Sequence, residues 1–527
     1  MKAVMVQDTA QSIAALLQQG VAYHRQGQLP AAEQVYRQIL AAQPNHFDAL
    51  QLLGMIAHAT GDLAIAEELF RKSLTANFKQ PAVWYNLANL LFTAQRFADS
   101  IAAYDRALRL RPTYAEAFGN RSAALTASGR PDEALMSANR ALALKPDYIE
   151  AHSNRSAALV ALKRFDEALA SAERALALAP NNAENIYNRG RALMGLNRLN
   201  EAVDDFTRVS GLDPHHVRAH FNEGVARLTM GDMPRGWNKY EWRWLNEPLI
   251  GRKPQFTQPE WNGENASDKR LFVYGEQGLG DVLQFFRYLP LVSARAAHVI
   301  ALVPTSLKSL LSGRVPGVEV VSPGDPLPPF DVQCALLSLP RIFQTSLATL
   351  PAQAPDMAAP NAHVASWEAR LGPKTATRVG VVWAGNANHP NDRFRSMDVK
   401  RLAPLLDCGC QLFSLQKDLR HGEQRWLDKQ GVRHFGPEIG DFADTAALIS
   451  LMDVVISVDT SVAHLSGAMG KQAWVLLPFI DADWRWMLDR DDSPWYPTVR
   501  LFRQSATEDW DGVIARVAQE LSKRVTL

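Results

Sequence analysis

Small and hydrophobic positions recur along the first 216 residues with a fixed spacing of 34. One column holds small residues, at Ala32, Ala66, Ser100, Ala134, Ala168 and Ala202. A second column holds large apolar or aromatic side chains, at Tyr36, Phe70, Tyr104 and Phe206. The two columns predict repeated helix pairs, with the small residue where two helices approach closely.

Proline and glycine mark the ends of the predicted helices with the same period. Proline closes the second helix of most units, because it cannot donate the next backbone hydrogen bond; it stands at Pro44, Pro112, Pro146, Pro180 and Pro214. Glycine follows the first helix at Gly27, Gly61 and Gly129. A period of 34 is typical of tetratricopeptide helix–turn–helix units, so we predict six full units over residues 13–216.

A seventh, atypical unit begins at Val217 and runs into a segment with three tryptophans in eight residues, Trp237, Trp242 and Trp244. Terminal repeats often cap an array or dock on a neighbouring domain. A capping helix in solvent would expose much aromatic area, so we predict docking on the next domain.

One asparagine column is a candidate for peptide binding. It consists of Asn86, Asn120, Asn154, Asn188 and Asn222, all on the first helix of a unit. A ladder of carboxamides can pair with the backbone of an extended peptide, as in the eukaryotic O-GlcNAc transferases that this column resembles. The alternative, which we favour for the column itself, is that each asparagine bonds the neighbouring unit.

The pattern changes at about residue 270 to short apolar runs that alternate with helical segments. Predicted strands cover residues 271–274, 297–303 and 318–321, and after a junction at 355–378 they cover 378–383, 411–415, 454–458 and 473–477. Residues 509–523 predict a last amphipathic helix. This alternation indicates two parallel sheets, with ligands bound at the carboxyl ends of the strands and a cleft between the sheets.

Composition narrows the class of protein. The 56 Lys plus Arg and 55 Asp plus Glu give a formal net charge of +1, so no overall basic excess indicates nucleic-acid binding. The three cysteines cannot build a disulfide framework or a zinc set. Because we find no signal-peptide pattern and no apolar run of membrane-spanning length, we predict a cytoplasmic protein.

Two strand-to-helix turns carry candidate chemistry. Gly278 and Gly280 follow the first strand and are candidate donor-binding residues, because glycine lets the backbone approach a ligand at a helix start. Asp281, which comes next, is either the helix cap, the general base for an acceptor hydroxyl, or both. Asp459, Thr460 and Ser461 offer a carboxylate, two hydroxyls and free amides to a sugar diphosphate. His464, in the helix that follows, is a further candidate donor ligand. The simpler alternatives are that this second turn only caps the helix and that His464 is an ordinary helix residue.

Polar residues after two further strands are candidate donor ligands. We expect a cation among Arg393, Arg395 and Lys417 to neutralise a diphosphate. The remaining candidate donor ligands are Asn386, Ser396 and Gln416. Asp481 and Asp483 have D-x-D spacing, but two carboxylates are too few to establish a metal site.

Two segments together resemble a known family. GLGDVLQFFRYLP resembles the glycine loop of the heptosyltransferases, and SVDTSVAHLSGAM resembles their nucleotide-sugar element, with Ser461 where glycine is usual. The similarity covers about residues 270–505, and the architecture resembles bacterial tetratricopeptide glycosyltransferases. It implies a GT-B fold, Asp281 as the base, inversion at the anomeric carbon, and neither metal nor cofactor besides the nucleotide-sugar co-substrate.

The resulting expectation is an α superhelix joined to an α/β glycosyltransferase. We predict a repeat superhelix at 1–245, an acceptor-side Rossmann-like domain at 246–370, a nucleotide-sugar-side one at 371–505 and a C-terminal helix at 506–527. The preferred acceptor is a polypeptide held by the repeats. The alternatives are a lipopolysaccharide or other glycan precursor as acceptor, or a scaffold without catalysis.

Overall fold

The computed structural model describes residues 2–246, 253–351, 356–389, 391–507 and 509–525. Pro355, which opens the predicted junction, and the last two residues of the predicted C-terminal segment lie outside these ranges. The chain divides into two compact units; the first ends at Leu212 and the second begins at Asp213.

The first unit consists of helix pairs joined by short turns. Its helices are α1 (Lys2–Arg25), α2 (Leu29–Ala42), α3 (Phe47–Ala59), α4 (Leu63–Ala76), α5 (Pro81–Thr93), α6 (Phe97–Leu110), α7 (Ala115–Ala127), α8 (Pro131–Leu144), α9 (Ile149–Ala161), α10 (Phe165–Leu178), α11 (Ala183–Gly195) and α12 (Leu199–Leu212). The small column and the aromatic column predicted from the sequence are both buried, with every member at most 1% exposed. The aromatic side chains pack closely against the first helix of the pair; for example, a Cβ added to Gly54 of α3 would lie only 2.8 Å from the ring of Phe70 on α4.

The turn inside each pair takes a left-handed backbone whether or not glycine occupies it. Gly27, Gly61 and Gly129 have φ of 74°, 87° and 76°. The equivalent positions in the other pairs of this unit hold non-glycine residues with φ of 57° to 61°, Gln95, Lys163 and Asn197. The repeat geometry therefore imposes a conformation that costs these side chains some free energy.

The second unit begins with the seventh helix pair and continues into two α/β halves. Its helices are α13 (Val217–Thr229), α14 (Met233–Tyr240), α15 (Leu279–Phe285), α16 (Leu289–Ser293), α17 (Thr305–Leu311), α18 (Leu339–Ile342), α19 (Asn361–Leu371), α20 (Asp392–Arg395), α21 (Ala403–Leu406), α22 (Glu423–Gln430), α23 (Phe442–Ser450), α24 (Ser461–Ala468) and α25 (Trp510–Val525). Its strands are β1 (Ala266–Tyr274), β2 (Ala296–Leu302), β3 (Val318–Val321), β4 (Val332–Ala335), β5 (Arg378–Val382), β6 (Gln411–Ser414), β7 (Arg433–His434), β8 (Val454–Val458), β9 (Ala473–Leu477) and β10 (Val499–Arg503).

Both sheets are parallel throughout the described residues, as the alternation of strands and helices predicts. The first has the order β3-β2-β1-β4, and the second has the order β10-β9-β8-β5-β6-β7. If β5 is counted as strand 1 of the second sheet, the order from β7 to β10 is 3-2-1-4-5-6, which is the strand order of a doubly wound nucleotide-binding fold. In such a sheet the ligand crevice lies where the strand order reverses, which here is between β5 and β8.

The tryptophans after the seventh repeat differ in what they contact. Trp237 is 1% exposed and packs edge-on against Phe285 and Trp484 of the α/β halves, with ring centroids 6.0 and 5.2 Å away. Trp242 instead stacks on His220 of its own repeat, at 3.9 Å. The Trp237 side chain thus anchors α14 to the α/β part of the unit.

Candidate functional site

Asp281 lies in the first turn of α15, directly after β1 and its glycine loop. Its Oδ2 accepts a hydrogen bond of 2.7 Å from the backbone amide of Gly278, the residue that precedes the helix. Its Oδ1 accepts one from the guanidinium of Arg485, 204 residues later in the chain. The residue that precedes α15 in the N-cap position is Gly278, so the prediction that Asp281 is the N-cap was wrong; Asp281 lies three positions further on and bonds the Gly278 amide with one of its oxygens.

The start of α24, directly after β8, has free backbone donors. Thr460 precedes the helix but does not cap it; its hydroxyl lies 3.0 Å from that of Ser457 instead. Among the described residues, the amides of Ser461 and Val462 have no acceptor, and both residues are partly exposed. An uncapped helix start with partly exposed amides is suited to bind an anion.

His464 connects the two helix starts. It is 6% exposed, its Nδ1 lies 3.0 Å from the Tyr496 hydroxyl, and its ring stacks on Trp486 at 5.3 Å. Gly280 of α15 lies directly against it, since a Cβ there would be 2.7 Å from His464 Cδ2. Burial lowers the pKa of His464 to about 3, so the ring is neutral at physiological pH. In the structure His464 holds the two halves together, and its role as a donor ligand stays a prediction.

Three aspartates from different elements meet near these helix starts. Asp483 forms two bonds of 2.9 Å with Arg485, and Asp459 lies beside His464, with 3.8 Å between its Oδ1 and the imidazole Nε2. Burial, together with the charge of Asp483, raises the pKa of Asp459 to about 6. Burial also raises the pKa of Asp281, while the Arg485 guanidinium opposes that rise. Perturbed carboxyl groups of this kind are typical of functional sites.

The three candidate cations have different surroundings. Arg395 donates to the backbone oxygen of Asp459 at 3.3 Å; its buried Nε makes no described hydrogen bond and lies 3.9 Å from Oδ1 of Asp392. Arg393 is exposed and stacks on Phe394 at 4.5 Å. Lys417 donates to two backbone oxygens, those of Gly436 and Ile439. Of the three, Arg395 is the cation next to the start of α24.

The polar candidates after β5 and β6 bond mostly to the backbone around them. Gln416 accepts from the amides of Trp383 and Ala384 at 3.3 and 3.1 Å. Ser396 accepts from the Gly385 amide at 2.9 Å, and Asn386 accepts from the amide two residues later. These bonds shape the loops at the carboxyl ends of the strands, and donor contacts by the same residues stay predictions.

The asparagine column makes bonds within the repeats. Asn154 donates to the backbone oxygen of Gly119 at 2.9 Å, and Asn188 donates to the hydroxyl of Ser153 at 3.0 Å. Asn120 also donates to side chains of the preceding unit. These are the neighbour contacts that we favoured for the column. Peptide binding by Asn86, Asn120, Asn154, Asn188 and Asn222 stays a prediction.

Arg485 is the functional candidate that the sequence analysis missed. It follows the D-x-D pair by two residues, which is a local signal for an ion pair with Asp483, but its contact with Asp281 has no local signal. The described residues contain no group of three or more histidines, cysteines, aspartates or glutamates able to hold a metal ion. No helix of the described part is long and apolar enough to cross a membrane.

A surface groove of about 730 Å³ lies elsewhere in the second unit. It is bordered by Lys374, Asp453 and Lys471, close to the amino ends of β5, β8 and β9. Lys374 and Asp453 pair with each other at 2.8 Å. The perturbed carboxyl groups and free amides are at the opposite, carboxyl ends, where parallel sheets bind ligands.

Comparison with known families matches tetratricopeptide-repeat families to residues 17–81, 80–147, 149–182 and 187–236. The N-terminal half therefore carries tetratricopeptide repeats. Protein FlbA of Caulobacter vibrioides is 28% identical over 324 residues, an alignment that covers 56% of this chain and 53% of FlbA. The chain thus spans about half the length of that relative.

Solved repeat structures resemble part of the chain. A tetratricopeptide repeat protein from Parabacteroides merdae is 16% identical, with a TM-score of 0.39, covering 45% of this chain and 95% of that one. YrrB, described as a TPR protein with an unusual peptide-binding site, is 18% identical with a TM-score of 0.31, covering 36% and 97%. These similarities are too low to carry a functional argument.

Proposed function

We propose that the protein is an inverting glycosyltransferase of GT-B type, which moves a sugar from a nucleotide-sugar donor to a hydroxyl acceptor. One observation carries the proposal: α15, which starts with Asp281, and α24, which starts with the free amides of Ser461 and Val462, come from the two α/β halves and meet where Gly280 packs against His464. A base and an anion site at the carboxyl ends of two parallel sheets are what such a transfer requires.

In the proposed reaction, Asp281 takes the proton of the acceptor hydroxyl. The acceptor oxygen forms a bond to the anomeric carbon as the bond from that carbon to the diphosphate oxygen breaks. The bonding electrons leave on the nucleoside diphosphate, and a single displacement inverts the anomeric centre. The amides of Ser461 and Val462 and the Arg395 guanidinium would stabilise the charge that develops on the leaving group.

The carboxylate of Asp281 has room for this role. An ionised carboxylate offers about four lone-pair sites, and the described bonds from Gly278 and Arg485 use two of them. The side chain is 16% exposed, so one face of it remains open. Glu276 of the glycine loop is less open, since its side chain is 4% exposed and pairs with the buried Arg243.

We propose a polypeptide as the acceptor, because a superhelix of repeats is a protein-binding device. The seventh repeat supports a connection between the repeats and catalysis, since Arg243 just after it bonds Glu276 of the glycine loop at 2.9 Å. A glycan precursor is the competing acceptor, because the resemblance to heptosyltransferases implies one.

A scaffold without catalysis is the second candidate function. The tetratricopeptide matches favour it, because arrays of such repeats serve as protein-binding surfaces. The alternatives differ in what the α/β halves bind, since a scaffold has no use for a nucleotide sugar.

The deciding experiment is a thermal-shift screen of nucleotide sugars, followed by mass spectrometry of acceptors incubated with each ligand that binds. A ligand that binds only the folded protein raises the melting temperature. The proposal predicts a shift with at least one nucleotide sugar and an acceptor whose mass increases by one sugar residue. No shift with any nucleotide sugar or nucleoside diphosphate would favour the scaffold.

A further inference from the structure

Arg485 lies in a 3₁₀ turn, Trp484–Trp486, that belongs to the second α/β half. Its side chain is only 6% exposed, and Asp483 fixes it there through two bonds of 2.9 Å to Nη1. The guanidinium also stacks on the ring of Trp484 at 4.3 Å. It is therefore held in one orientation before any substrate binds.

The remaining nitrogens of Arg485 reach α15 of the first half. Nη2 donates to Oδ1 of Asp281, and Nε donates to Oε1 of Gln284, one helical turn later. Gln284 is fully buried, so this second contact is shielded from water. One planar guanidinium thus connects the second half to the candidate base and to the helix that carries it.

We propose that Arg485 is the positioning residue of Asp281, which it holds ionised and oriented with one face open to the acceptor hydroxyl. This inference rests on the proposed function, because it assigns a base that only a transfer reaction would use. Arg485 itself touches neither donor nor acceptor in this account; it acts through Asp281.

The charges around Asp281 explain why it needs this partner. The charged and titratable groups that interact electrostatically with Asp281 are Arg485, Asp483, Tyr240, His389 and Tyr496. Of these groups, Arg485 is the permanent cation, while Asp483 repels a second carboxylate. Burial favours the protonated acid, which cannot accept a proton, so removing the guanidinium would raise the pKa of Asp281 further and disfavour its active, ionised form.

The test compares Arg485→Gln and Arg485→Lys with the parent in transfer assays across pH. We expect Arg485→Gln to lower kcat at pH 7 about tenfold or more. We also expect the acidic limb of its kcat/KM profile to move to higher pH. Both changes should be smaller in Arg485→Lys, because lysine keeps the positive charge but cannot bond Asp281 and Gln284 at the same time. Donor affinity should stay near that of the parent in both variants.

Arg378→Gln is the matched control, because Arg378 is a 4%-exposed arginine at the start of β5, where its guanidinium bonds a backbone oxygen. It should leave the position of the acidic limb unchanged. If Arg485→Gln fails to fold, the positioning role is tested by Arg485→Lys alone, for which a smaller shift of the acidic limb to higher pH is expected.

An active parent whose acidic limb is unmoved in both Arg485 variants would overturn the positioning role and leave the transferase standing. A parent that transfers no sugar from any donor would overturn the proposed function, and the positioning role with it.

Discussion

Gly280 of α15 lies against the imidazole of His464 of α24, so closely that a Cβ on the glycine would be 2.7 Å from His464 Cδ2. The imidazole has little freedom to move, since it lies between Trp486 and the Tyr496 hydroxyl. The contact fixes the distance between the two helix starts that carry Asp281 and the free amides. It therefore makes glycine a requirement of the candidate site.

Gly280→Ala should separate the two helix starts. Overpacking of this kind costs about 1–3 kcal/mol, so we expect donor affinity and turnover to fall about tenfold or more while the chain still folds. Calorimetry and transfer assays measure the two effects. Gly211→Ala is the control, because nothing lies within 4 Å of a Cβ there. Unchanged donor affinity in Gly280→Ala would show that the helix contact does not shape the donor site.

Arg395→Ala should weaken donor binding selectively. Hydrogen bonds to charged groups contribute about 1.5–3 kcal/mol, so the dissociation constant should rise about 10- to 100-fold. The control is Arg393→Ala, two residues away, which removes an exposed guanidinium that stacks on Phe394. Titration calorimetry with the donor found in the thermal-shift screen compares them. Equal losses in both variants would remove Arg395 as a specific diphosphate ligand.

Asn154→Ala should destabilise the repeats, because the side chain bonds the Gly119 backbone oxygen of the preceding unit. The expected loss is about 1 kcal/mol in the free energy of unfolding by urea. Asn86→Ala is a control in the same column, since Asn86 makes no hydrogen bond to another described side chain or backbone group. If both variants lose equal stability, the inter-repeat bond contributes nothing measurable.

The stability of the chain should depend on pH through Glu276. Burial raises the pKa of this carboxyl from 4.5 to about 7, against the opposing charge of Arg243. A raised pKa in the folded state contributes stability that is present below about pH 4.5 and is lost as the pH rises through about 7. Glu276→Gln should therefore gain melting temperature relative to the parent as the pH rises from 4.5 to 8.

The control for this comparison is Glu173→Gln, which changes an exposed side chain on α10. Its difference from the parent should be constant over the same pH range. A constant difference for Glu276→Gln as well would mean that Glu276 stays ionised throughout, with Arg243 outweighing burial.

The repeats could be predicted in detail because their signal is local and periodic. Every helix pair of the first unit carries the small residue and four of the six carry the aromatic one, and all of these side chains are buried as expected. The left-handed turns at Gln95, Lys163 and Asn197 could not be predicted from residue type, since the neighbouring helices impose them. The sequence pattern also missed three strands. β4 has four residues and β7 has two, which is too short for a clear pattern, and β10 has arginines at two of its five positions.

The candidate site was only partly predictable. Local sequence identifies Asp281 and Asp459–Ser461, because each follows an apolar strand and begins a helix. It cannot distinguish Arg395 from Lys417, because the difference lies in which distant backbone oxygens each cation meets. Nor can it find the pairing of Arg485 with Asp281, which joins positions 204 residues apart.

The most direct test of the account is the turnover of Asp281→Asn, measured together with its donor affinity and melting temperature. Asparagine keeps the shape of the side chain and one oxygen for the Gly278 amide, but its amide nitrogen can neither accept from Arg485 nor take the acceptor's proton. The proposed role of Asp281 predicts a folded protein with near-parent donor binding, in which transfer is slowed about 100- to 10,000-fold. The melting temperature should fall, because the buried Arg485 loses one of its two carboxylate partners. Near-parent turnover in this variant would contradict the proposed role.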